Sequence, residues 1–309
     1  MPPLLRVGIL GSGFGLYGYL PAISAFPQCK VALPMRYRPK LEARSDISAY
    51  TANVEWQEDE CTVIQSVNAL VCARRPSDNE KLVNTFLKSH NATHLLIEKP
   101  MAASANSAIA VNSLVGDSQI KYRIGYTFRY TTWAKILLQE VRNFREFSIN
   151  WRFMAHHYRN NLNVWKRYTS CGGGAINFYG IHIIAILTEI GYNRVLNSTV
   201  SSQTEDEDER WAAIFAGPNL PVCKVNIDTF SKEEYFEVSS EISDGGKKIL
   251  IRQQNPFSYE LECGNHILDR RIYFLQMLWR ELLFSKNRDE SWYNSVNQLW
   301  KEITESTLR

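Results

Sequence analysis

The sequence has few cysteines for its length, and none of them forms a closely spaced pair. Its 309 residues contain six scattered cysteines and six histidines that lack the spacing of metal ligands. This pattern excludes a disulfide framework and a Cys/His zinc site, so we expect reduced thiols and no bound metal. No apolar run approaches the ~20 residues that a membrane helix needs, and no signal peptide is recognisable. We therefore expect a cytoplasmic protein with no membrane partner.

An excess of charge of one sign is also missing. The 35 Lys and Arg residues against 32 Asp and Glu residues leave a net charge of +3. This excess is too small for a nucleic-acid-binding surface, so no nucleic-acid partner is expected. Aromatic residues are plentiful, with 8 Trp, 15 Tyr and 14 Phe, and large-scale disorder is thereby excluded. The length favours two domains.

The first third of the chain alternates short apolar runs with helical stretches. Strands are predicted at 6–10, 30–33, 69–73, 94–97 and 122–126, and helices at 16–26, 78–90 and 105–115. Strands separated by helices form βαβ units and a parallel sheet. We therefore predict an α/β domain over residues 1–124.

After residue 128 the pattern changes. A long apolar helix is predicted at 175–190, followed by strands at 196–202, 210–215, 222–230, 235–242 and 247–252 and by helices at 267–283 and 292–303. Consecutive strands joined by short turns are typical of an antiparallel sheet. We predict a second, α+β domain over residues 125–309, with a large, open, mostly antiparallel sheet. The acidic run 205–209 is expected to be a solvated hairpin tip.

A glycine-rich turn follows the first predicted strand. Gly11 would allow a tight turn, and Gly13 would let the backbone approach a pyrophosphate at the N-terminus of the next helix. The third glycine of GxGxxG is replaced by Leu16, with Gly15 displaced by one position, so an incidental turn remains the alternative. The position between a strand and a helix favours a Rossmann domain that binds a dinucleotide.

The end of the second strand bears on the choice between NAD and NADP. An acidic residue there binds the ribose 2′-hydroxyl, whereas arginine accommodates a 2′-phosphate. Residues 27–40 contain no acid but include Arg36 and Arg38, which favours NADP over NAD. Pro34 does not suit an interior strand, so the alternative is a strand that ends at Leu33 and two ordinary surface arginines on a loop.

Two further motifs carry a resemblance to a known family. Glu98-Lys99-Pro100 follows a predicted strand, and residues 172–182 read GGGAINFYGIH. Together with the glycine turn they resemble the Gfo/Idh/MocA family, named for glucose–fructose oxidoreductase and inositol dehydrogenase. The resemblance extends over nearly the whole chain, at residues 11–23, 69–103, 125–130 and 172–187. It implies a Rossmann domain, a second domain with a large open sheet, and hydride transfer between a nicotinamide and a sugar or cyclitol carbon.

The resemblance also implies three catalytic residues. Lys99 is expected beside the nicotinamide, where its charge would stabilise a developing alkoxide, although a lone lysine is usually a surface residue. His182 matches the family's acid/base, although a histidine in an apolar helix is more often a core residue. Asn177 stands where the family commonly has Asp, and it cannot accept a proton. Either His182 suffices, or Tyr179 or Tyr126 assists, or activity is weakened.

The remaining candidates bind the cofactor or the substrate. Core packing and a solvated surface are the alternatives for the substrate candidates and for His156, which is placed in a strand near the substrate. Asn79 departs from the His that many family members have. The candidate cofactor-binding residues are Gly11, Ser12, Gly13, Phe14, Gly15, Leu16, Arg36, Arg38, Ala73, Arg74, Pro76, Asn79, Glu98 and Lys99. The candidate substrate-binding residues are Tyr126, Arg129, Trp165, Lys166, Arg167 and Tyr179.

Two hypotheses of function follow. The first is an NAD(P)-dependent dehydrogenase or ketoreductase acting on a sugar or nucleotide-linked sugar, with Lys166 and Arg167 available for a phosphate. The second is a catalytically inactive relative that binds the cofactor as a sensor or binds a partner. Retention of Lys99 and His182 favours the first, and Asn177 favours the second. The family's open sheets imply a homo-oligomer formed through the C-terminal sheet.

Overall fold

The computed structural model describes residues 4–241, 246–257, 269–286 and 289–308. Cys263, the end of the predicted strand 235–242 and the start of the predicted helix 267–283 lie outside these residues. The chain divides into two compact units. The first unit comprises Met1–Met101, Ala110–Thr127 and Glu260–Asp289, and the second comprises Ala102–Ile109, Phe128–Tyr259 and Glu290–Arg309.

A parallel sheet forms the centre of the first unit. Its strands are β1 (Leu5–Leu10), β2 (Cys29–Pro34), β3 (Glu55–Gln57), β4 (Ala69–Cys72), β5 (His94–Ile97) and β6 (Lys121–Ile124). They lie in the order β3-β2-β1-β4-β5-β6, and every neighbouring pair is parallel. All four residues of β4 are buried, as expected of a strand covered on both faces. This order is the one of dinucleotide-binding sheets, so the predicted Rossmann fold is confirmed.

Helices connect these strands. They are α1 (Leu20–Ser24), α2 (Arg38–Glu42), α3 (Glu60–Ser66), α4 (Pro76–Leu87) and α5 (Ala105–Gly116). A wider, π-type turn over Gly15–Tyr19 precedes α1, so the predicted helix 16–26 is irregular in its first half. The side chain of Asp59 caps α3 by accepting a hydrogen bond from the Thr62 N–H at 2.7 Å.

A mixed sheet forms the second unit. Its strands are β7 (Glu146–Met154), β8 (Arg194–Ser201), β9 (Arg210–Ala216), β10 (Val222–Asp228), β11 (Phe230–Glu241) and β12 (Lys247–Gln253). They lie in the order β12-β11-β7-β10-β9-β8. The pair β7–β10 is parallel and the other pairs are antiparallel, so the predicted mostly antiparallel sheet is confirmed. Buried Trp211, Ala213 and Phe215 alternate along β9, so one face of the sheet carries the core.

Five further helices complete the two units. They are α6 (Thr132–Glu140), α7 (His156–Arg159), α8 (Ile181–Ile190), α9 (Ile272–Phe284) and α10 (Glu290–Ser306). A π-type turn over Ala175–Gly180 leads into α8. Because His156 begins α7, the prediction that it lies in a strand is wrong. The short helix instead buries His157 and Tyr158.

The helix α8 is the core helix of the second unit, since every residue from Ile181 to Leu187 is buried. The segment Thr169–Ile190 is long and apolar enough to cross a membrane, contrary to the expectation that no such run exists. However, 78% of its most apolar window is buried inside the protein. This burial is that of a core helix.

The helix α9 packs on the first unit, although it lies late in the chain. The Trp279 indole N–H donates a hydrogen bond to the Cys29 sulfur at 3.4 Å. The buried Arg123 guanidinium lies 3.8 Å from the carboxylate of Glu281 on this helix. The predicted domain division at residues 124 and 125 assigned this helix to the second domain, so the compact units differ from that division here.

Residues near the end of the chain pair with the outer strand β8. The Val200 N–H donates to the Leu308 carbonyl at 3.0 Å, and the Leu308 N–H donates to the Ser198 carbonyl at 3.0 Å. The Ser198 and Thr307 hydroxyls are 2.7 Å apart. This short parallel bridge occupies part of the outer edge of the sheet.

Candidate active site

The glycine turn after β1 requires glycine at its first position. Gly11 has a φ of +146°, and a Cβ there would lie 2.1 Å from the Ala73 carbonyl oxygen. The Ala73 N–H in turn donates to the Leu10 carbonyl at 2.8 Å. The ends of β1 and β4 therefore approach each other so closely that no side chain fits between them.

The second half of the turn leaves open space. A Cβ at Gly13 would meet no atom within 4 Å, and the Leu16 N–H donates to the Gly13 carbonyl at 2.9 Å as the helix begins. Exposed backbone ahead of a helix N-terminus suits an anionic phosphate, so these residues fit a dinucleotide. Gly15 packs against Ile9, which is the helix–strand contact of the third glycine. Leu16 is buried in the core.

The carboxylate of Glu60 binds cationic side chains that follow the ends of β2 and β4. It accepts a hydrogen bond from the Arg36 guanidinium, another from Arg74 at 2.8 Å and a third from the Tyr37 hydroxyl at 3.0 Å. This bonding to Glu60 raises the pKa of Arg36. Arg38 is engaged elsewhere, because it donates to Glu42 at 2.8 Å. Glu60 had no motif to single it out in the sequence.

The Glu98-Lys99 pair follows β5, on the same edge of the sheet as the glycine turn. Lys99 is 9% exposed, so its ammonium group is largely removed from solvent. The Tyr19 hydroxyl donates to Glu98 Oε2 at 2.5 Å, and burial beside this carboxylate raises the pKa of Tyr19. Gly125 leaves room for the same oxygen, since a Cβ there would lie 2.7 Å from it. Tyr19 was not predicted, because nothing separates it from the other aromatic residues in the sequence.

Three further predicted residues lie in the first unit. Asn79 is fully buried on α4, and its Nδ2 donates to the Met101 carbonyl at 3.0 Å, so it supports the segment that follows Lys99. Tyr126 follows β6 and is buried, which raises the pKa of its hydroxyl. Pro76 is in the first turn of α4, where its missing N–H costs nothing.

The glycine triplet precedes the π-type turn in the second unit. Gly174 has a φ of +83°, and a Cβ at Gly173 would lie 2.5 Å from the carbonyl oxygens of Trp165 and Lys166. The triplet therefore lets two chain segments approach each other closely. The π-type turn contains Asn177, and His182 lies in the first turn of α8 directly after it. Turns of this kind are frequent at functional sites.

The buried Asn177 amide is hydrogen-bonded at both ends. Its Nδ2 donates to the Thr169 carbonyl at 3.3 Å, and its Oδ1 accepts from the Trp300 indole N–H at 2.9 Å. An amide suits this position because one side faces an acceptor and the other faces a donor. Trp300 was not predicted, since it lies on α10 and 123 residues away along the chain.

His182 packs among aromatic rings. Its ring stacks on Phe128 with centroids 4.3 Å apart and meets the edge of Phe257 at 6.0 Å. Phe128 also contacts Trp151, and Trp151 contacts Tyr179 at 5.6 Å. His182 is 4% exposed, so the imidazole is held in place by packing.

The predicted cationic substrate residues are paired within the second unit. Arg129 donates to Glu189 at 2.7 Å and lies 4.5 Å from the Trp292 ring. Arg167 lies 3.0 Å from Glu207. Lys166 lies 5.2 Å from the Phe178 ring, and Trp165 meets the same ring edge-on at 5.3 Å.

The predicted solvated tip is confined to Glu205 and Asp206, which are exposed in the turn between β8 and β9, and the rest of the acidic run is buried. Glu207, Asp208 and Glu209 are at most 5% exposed. Asp208 also accepts a backbone hydrogen bond from Ala175 at 2.7 Å. Burial is tolerated because Arg167 compensates the charge of Glu207, and the run thereby fixes the segment that leads into the glycine triplet.

His157 is the buried histidine of this region. Burial lowers its pKa to about 4, with Lys166, Arg167 and His156 acting in the same direction. Its Nε2 has no hydrogen-bond partner among the residues that the structure describes. The ring lies 6.3 Å from Tyr179, so a neutral imidazole extends the row of aromatic rings. Within the same described residues, no group of three or more His, Cys, Asp or Glu side chains is placed to hold a metal ion.

The two-sheet fold of this chain is shared, over nearly its whole length, with solved structures of NAD- and NADP-bound dehydrogenases and ketoreductases. Levoglucosan dehydrogenase, in complex with NADH and levoglucosan, matches with a TM-score of 0.71 and 14% identity over 98% of this chain and 96% of its own. A 3-ketoreductase from Actinomadura kijaniata, in complex with NADP and TDP-benzene, matches with a TM-score of 0.72 and 12% identity over 99% of this chain and 98% of its own. A Bordetella pertussis dehydrogenase, in complex with NADH and UDP-GlcNAcA, matches with a TM-score of 0.70 and 12% identity over 99% of this chain and 96% of its own. The resemblance is thereby confirmed at the level of the fold.

Comparison by sequence gives less. No protein-family model matches the chain. An uncharacterized oxidoreductase from Synechocystis sp. is 24% identical over 188 residues, which are 58% of this chain. The match spans 49% of that relative, so the chain covers about half of its length.

Asn177→Asp is expected to destabilise the protein. The new carboxylate would face the Thr169 carbonyl in a buried position, and losing a hydrogen bond there costs about 1–3 kcal/mol. Because the buried carboxyl group has a raised pKa, it can be protonated and donate again at low pH. The loss should therefore be larger at pH 8 than at pH 5, as measured by thermal unfolding. Trp300→Phe is the control, since it removes the opposite hydrogen bond without this pH dependence. Equal stability of Asn177→Asp and the wild type at pH 8 would contradict the assigned bonding.

His157 is expected to weaken the fold in acid. Its folded-state pKa of about 4 lies below the unfolded value near 6.5, so the unfolded chain binds the proton first. Stability should fall as pH drops from 6.5 toward 4 and be unaffected by this group above 6.5. Between pH 7 and pH 5 the wild type should lose up to about 2 kcal/mol more than His157→Gln, measured by urea unfolding. Identical pH slopes for the two proteins would show that His157 is not buried in its neutral form.

Proposed function

We propose that this chain transfers a hydride between NAD(P) and a hydroxyl- or keto-bearing carbon of a sugar. The observation that carries the proposal is the burial of Lys99, which lies two residues after the end of β5. The glycine turn follows β1 on the same edge of the same parallel sheet. Ligands of open α/β sheets bind at the carboxyl ends of the strands, so this edge is suited to hold both the dinucleotide and the reacting oxygen.

Each residue has a distinct role in this proposal. The bound nicotinamide supplies or accepts the hydride. The Lys99 ammonium stabilises negative charge on the substrate oxygen, and it does so more strongly out of water than in it. His182 exchanges the hydroxyl proton, with its ring plane fixed by Phe128. Asn177 holds the π-type turn in place through Thr169 and Trp300 and takes no proton.

A sugar is the substrate class that the second unit favours. Aromatic rings such as Trp151, Tyr179 and Phe178 lie beside one another there. Flat apolar rings suit the C–H faces of a pyranose, while buried polar atoms such as His157 Nε2 suit its hydroxyls. Solved structures with this fold hold levoglucosan in one case and UDP-GlcNAcA in another. These observations support a sugar or a nucleotide-linked sugar as the substrate.

A non-catalytic sensor is the alternative that Asn177 favours, since it lacks the carboxylate common at this position. Its two hydrogen bonds give it a structural role that needs no catalysis. The enzyme hypothesis does not depend on this residue, because Lys99 and His182 are both retained.

We also propose a cytoplasmic homo-oligomer formed through the sheet of the second unit. The outward-facing side chains of this sheet include Asn150 and Asn226, which are hydrogen-bonded at 3.1 Å, and Ser148. The five cysteines within the described residues are free thiols, which suits a reducing compartment. The mass in solution, measured by light scattering, tests the oligomer, and a monomeric mass contradicts it.

Turnover is the direct test of the proposed function. The purified protein is expected to oxidise NADPH or NADH with ketosugars, or to reduce the oxidised cofactors with sugars, in a panel that includes nucleotide-linked sugars. The absorbance of the reduced nicotinamide gives the rate. Cofactor binding without turnover across the whole panel would favour the sensor instead.

Lys99→Met is expected to separate binding from chemistry. Loss of one preorganised charge lowers kcat by about 10²–10³, while cofactor affinity stays within a few-fold of the wild type. Lys88→Met is the matched control, because Lys88 is exposed at the end of α4 and its removal should leave kcat unchanged. A Lys99→Met protein that keeps more than about a tenth of kcat would remove Lys99 from the assigned role.

A further inference from the structure

A lysine that the sequence did not single out contacts the glycine turn. The Lys40 ammonium group donates to the Ser12 hydroxyl at 2.9 Å. Ser12 lies between Gly11 and Gly13, and Lys40 is in the first turn of α2, the helix that follows β2. The contact therefore joins the ends of β1 and β2, which is where a Rossmann sheet receives the ribose of the adenosine.

The arginines near this place are already paired. Glu60 accepts hydrogen bonds from both Arg36 and Arg74, and it is fixed by the Tyr37 hydroxyl. That hydroxyl in turn accepts the Gly11 N–H at 3.1 Å, so the position of the carboxylate is tied to the glycine turn itself. A guanidinium that is hydrogen-bonded to a carboxylate has fewer donors and less charge to offer a phosphate.

Lys40 differs from these arginines in its charge balance. Across residues 4–241, 246–257, 269–286 and 289–308, no carboxylate lies within ion-pair distance of its ammonium group. Its hydrogen-bond partner is the neutral hydroxyl of Ser12, and the lysine side chain is otherwise exposed. Its positive charge is therefore available to an anionic ligand at the turn.

We propose that Lys40 and Ser12 bind the 2′-phosphate of NADP(H), and that Glu60 withdraws Arg36 from that role. This inference rests on the proposed dinucleotide function and names the group that selects between its two cofactors. A phosphate dianion accepts hydrogen bonds from the ammonium group and from the Ser12 hydroxyl, which turns from acceptor to donor. The acidic residue that would bind a 2′-hydroxyl is absent between Pro27 and Lys40.

Two fragments of the cofactor test the proposal on the full chain. The fragments 2′,5′-ADP and 5′-AMP differ in the 2′-phosphate and lack the nicotinamide. Lys40→Met is expected to weaken 2′,5′-ADP binding about tenfold or more, as for the loss of one charge-assisted hydrogen bond, and 5′-AMP binding less than about twofold. Ser12→Ala should act in the same direction with a smaller effect. Calorimetric titration gives both affinities.

Substitution of Glu60 is expected to change the affinity for 2′,5′-ADP in the opposite direction. Glu60→Gln removes a carboxylate from the neighbourhood of the phosphate and releases Arg36 and Arg74, so affinity for 2′,5′-ADP should rise several-fold while that for 5′-AMP stays unchanged. Lys88→Met is the control for a lost surface charge and should alter neither affinity. Because Lys40 is exposed, thermal unfolding of its variant should match that of the wild type.

Other outcomes overturn the proposal. If Arg36→Met loses 2′,5′-ADP affinity and Lys40→Met does not, the arginine is the phosphate ligand. Equal weakening of both fragments by Lys40→Met would place Lys40 on the shared 5′-phosphate instead. Turnover of NADPH with a sugar by a Lys40→Met protein that still prefers NADP(H) would refute this inference and leave the proposed function standing. If the fragment affinities are as expected but no sugar is turned over, the inference about Lys40 stands and the proposed function is refuted.

Discussion

The close approach of two strand ends at Gly11 constrains most of the first unit's functional edge. The Ala73 carbonyl fills the space that a side chain at residue 11 would need, and this contact sets the distance between β1 and β4. The Gly11 N–H donates to the Tyr37 hydroxyl, and this hydroxyl donates to the Glu60 carboxylate. The same carboxylate accepts hydrogen bonds from Arg36 and Arg74. The close approach of the two backbones therefore also fixes, through these hydrogen bonds, the positions of the side chains at the end of β2. Any residue larger than glycine would displace this whole set.

The sequence predicted the first unit best where periodic segments and a motif coincide. The strands β1, β4 and β5 are short, mostly apolar and flanked by helices, so local composition was sufficient for them. The stretch 38–66 was missed because α2, β3 and α3 are only three to seven residues long and depend on tertiary contacts. The strand β7 was also missed, although Phe147, Ile149 and Trp151 alternate with polar residues in the way a half-buried strand requires.

Sequence motifs singled out the candidate residues but not the residues that they contact. Lys99, Asn177 and His182 follow from motifs, whereas the hydrogen-bond donor of Asn177 lies on a helix near the other end of the chain. The acidic run shows the same limit. The burial of Glu207 depends on Arg167, which is 40 residues away along the chain, and no local pattern predicts that pairing. Charge runs are usually solvated, as Glu205 and Asp206 are, whereas the charge of the buried Glu207 is compensated by a distant cation.

The bridge between Leu308 and the strand β8 has a consequence for how copies of the chain can associate. An open sheet edge offers unpaired N–H and C=O groups to any extended chain that reaches it, and it is a common route to aggregation. At Ser198 and Val200 those groups are already used by the chain's own residues. Strand addition at this stretch of the edge would therefore first have to displace Leu308. The bridge therefore protects this stretch of the β8 edge from pairing with an extended segment of another chain.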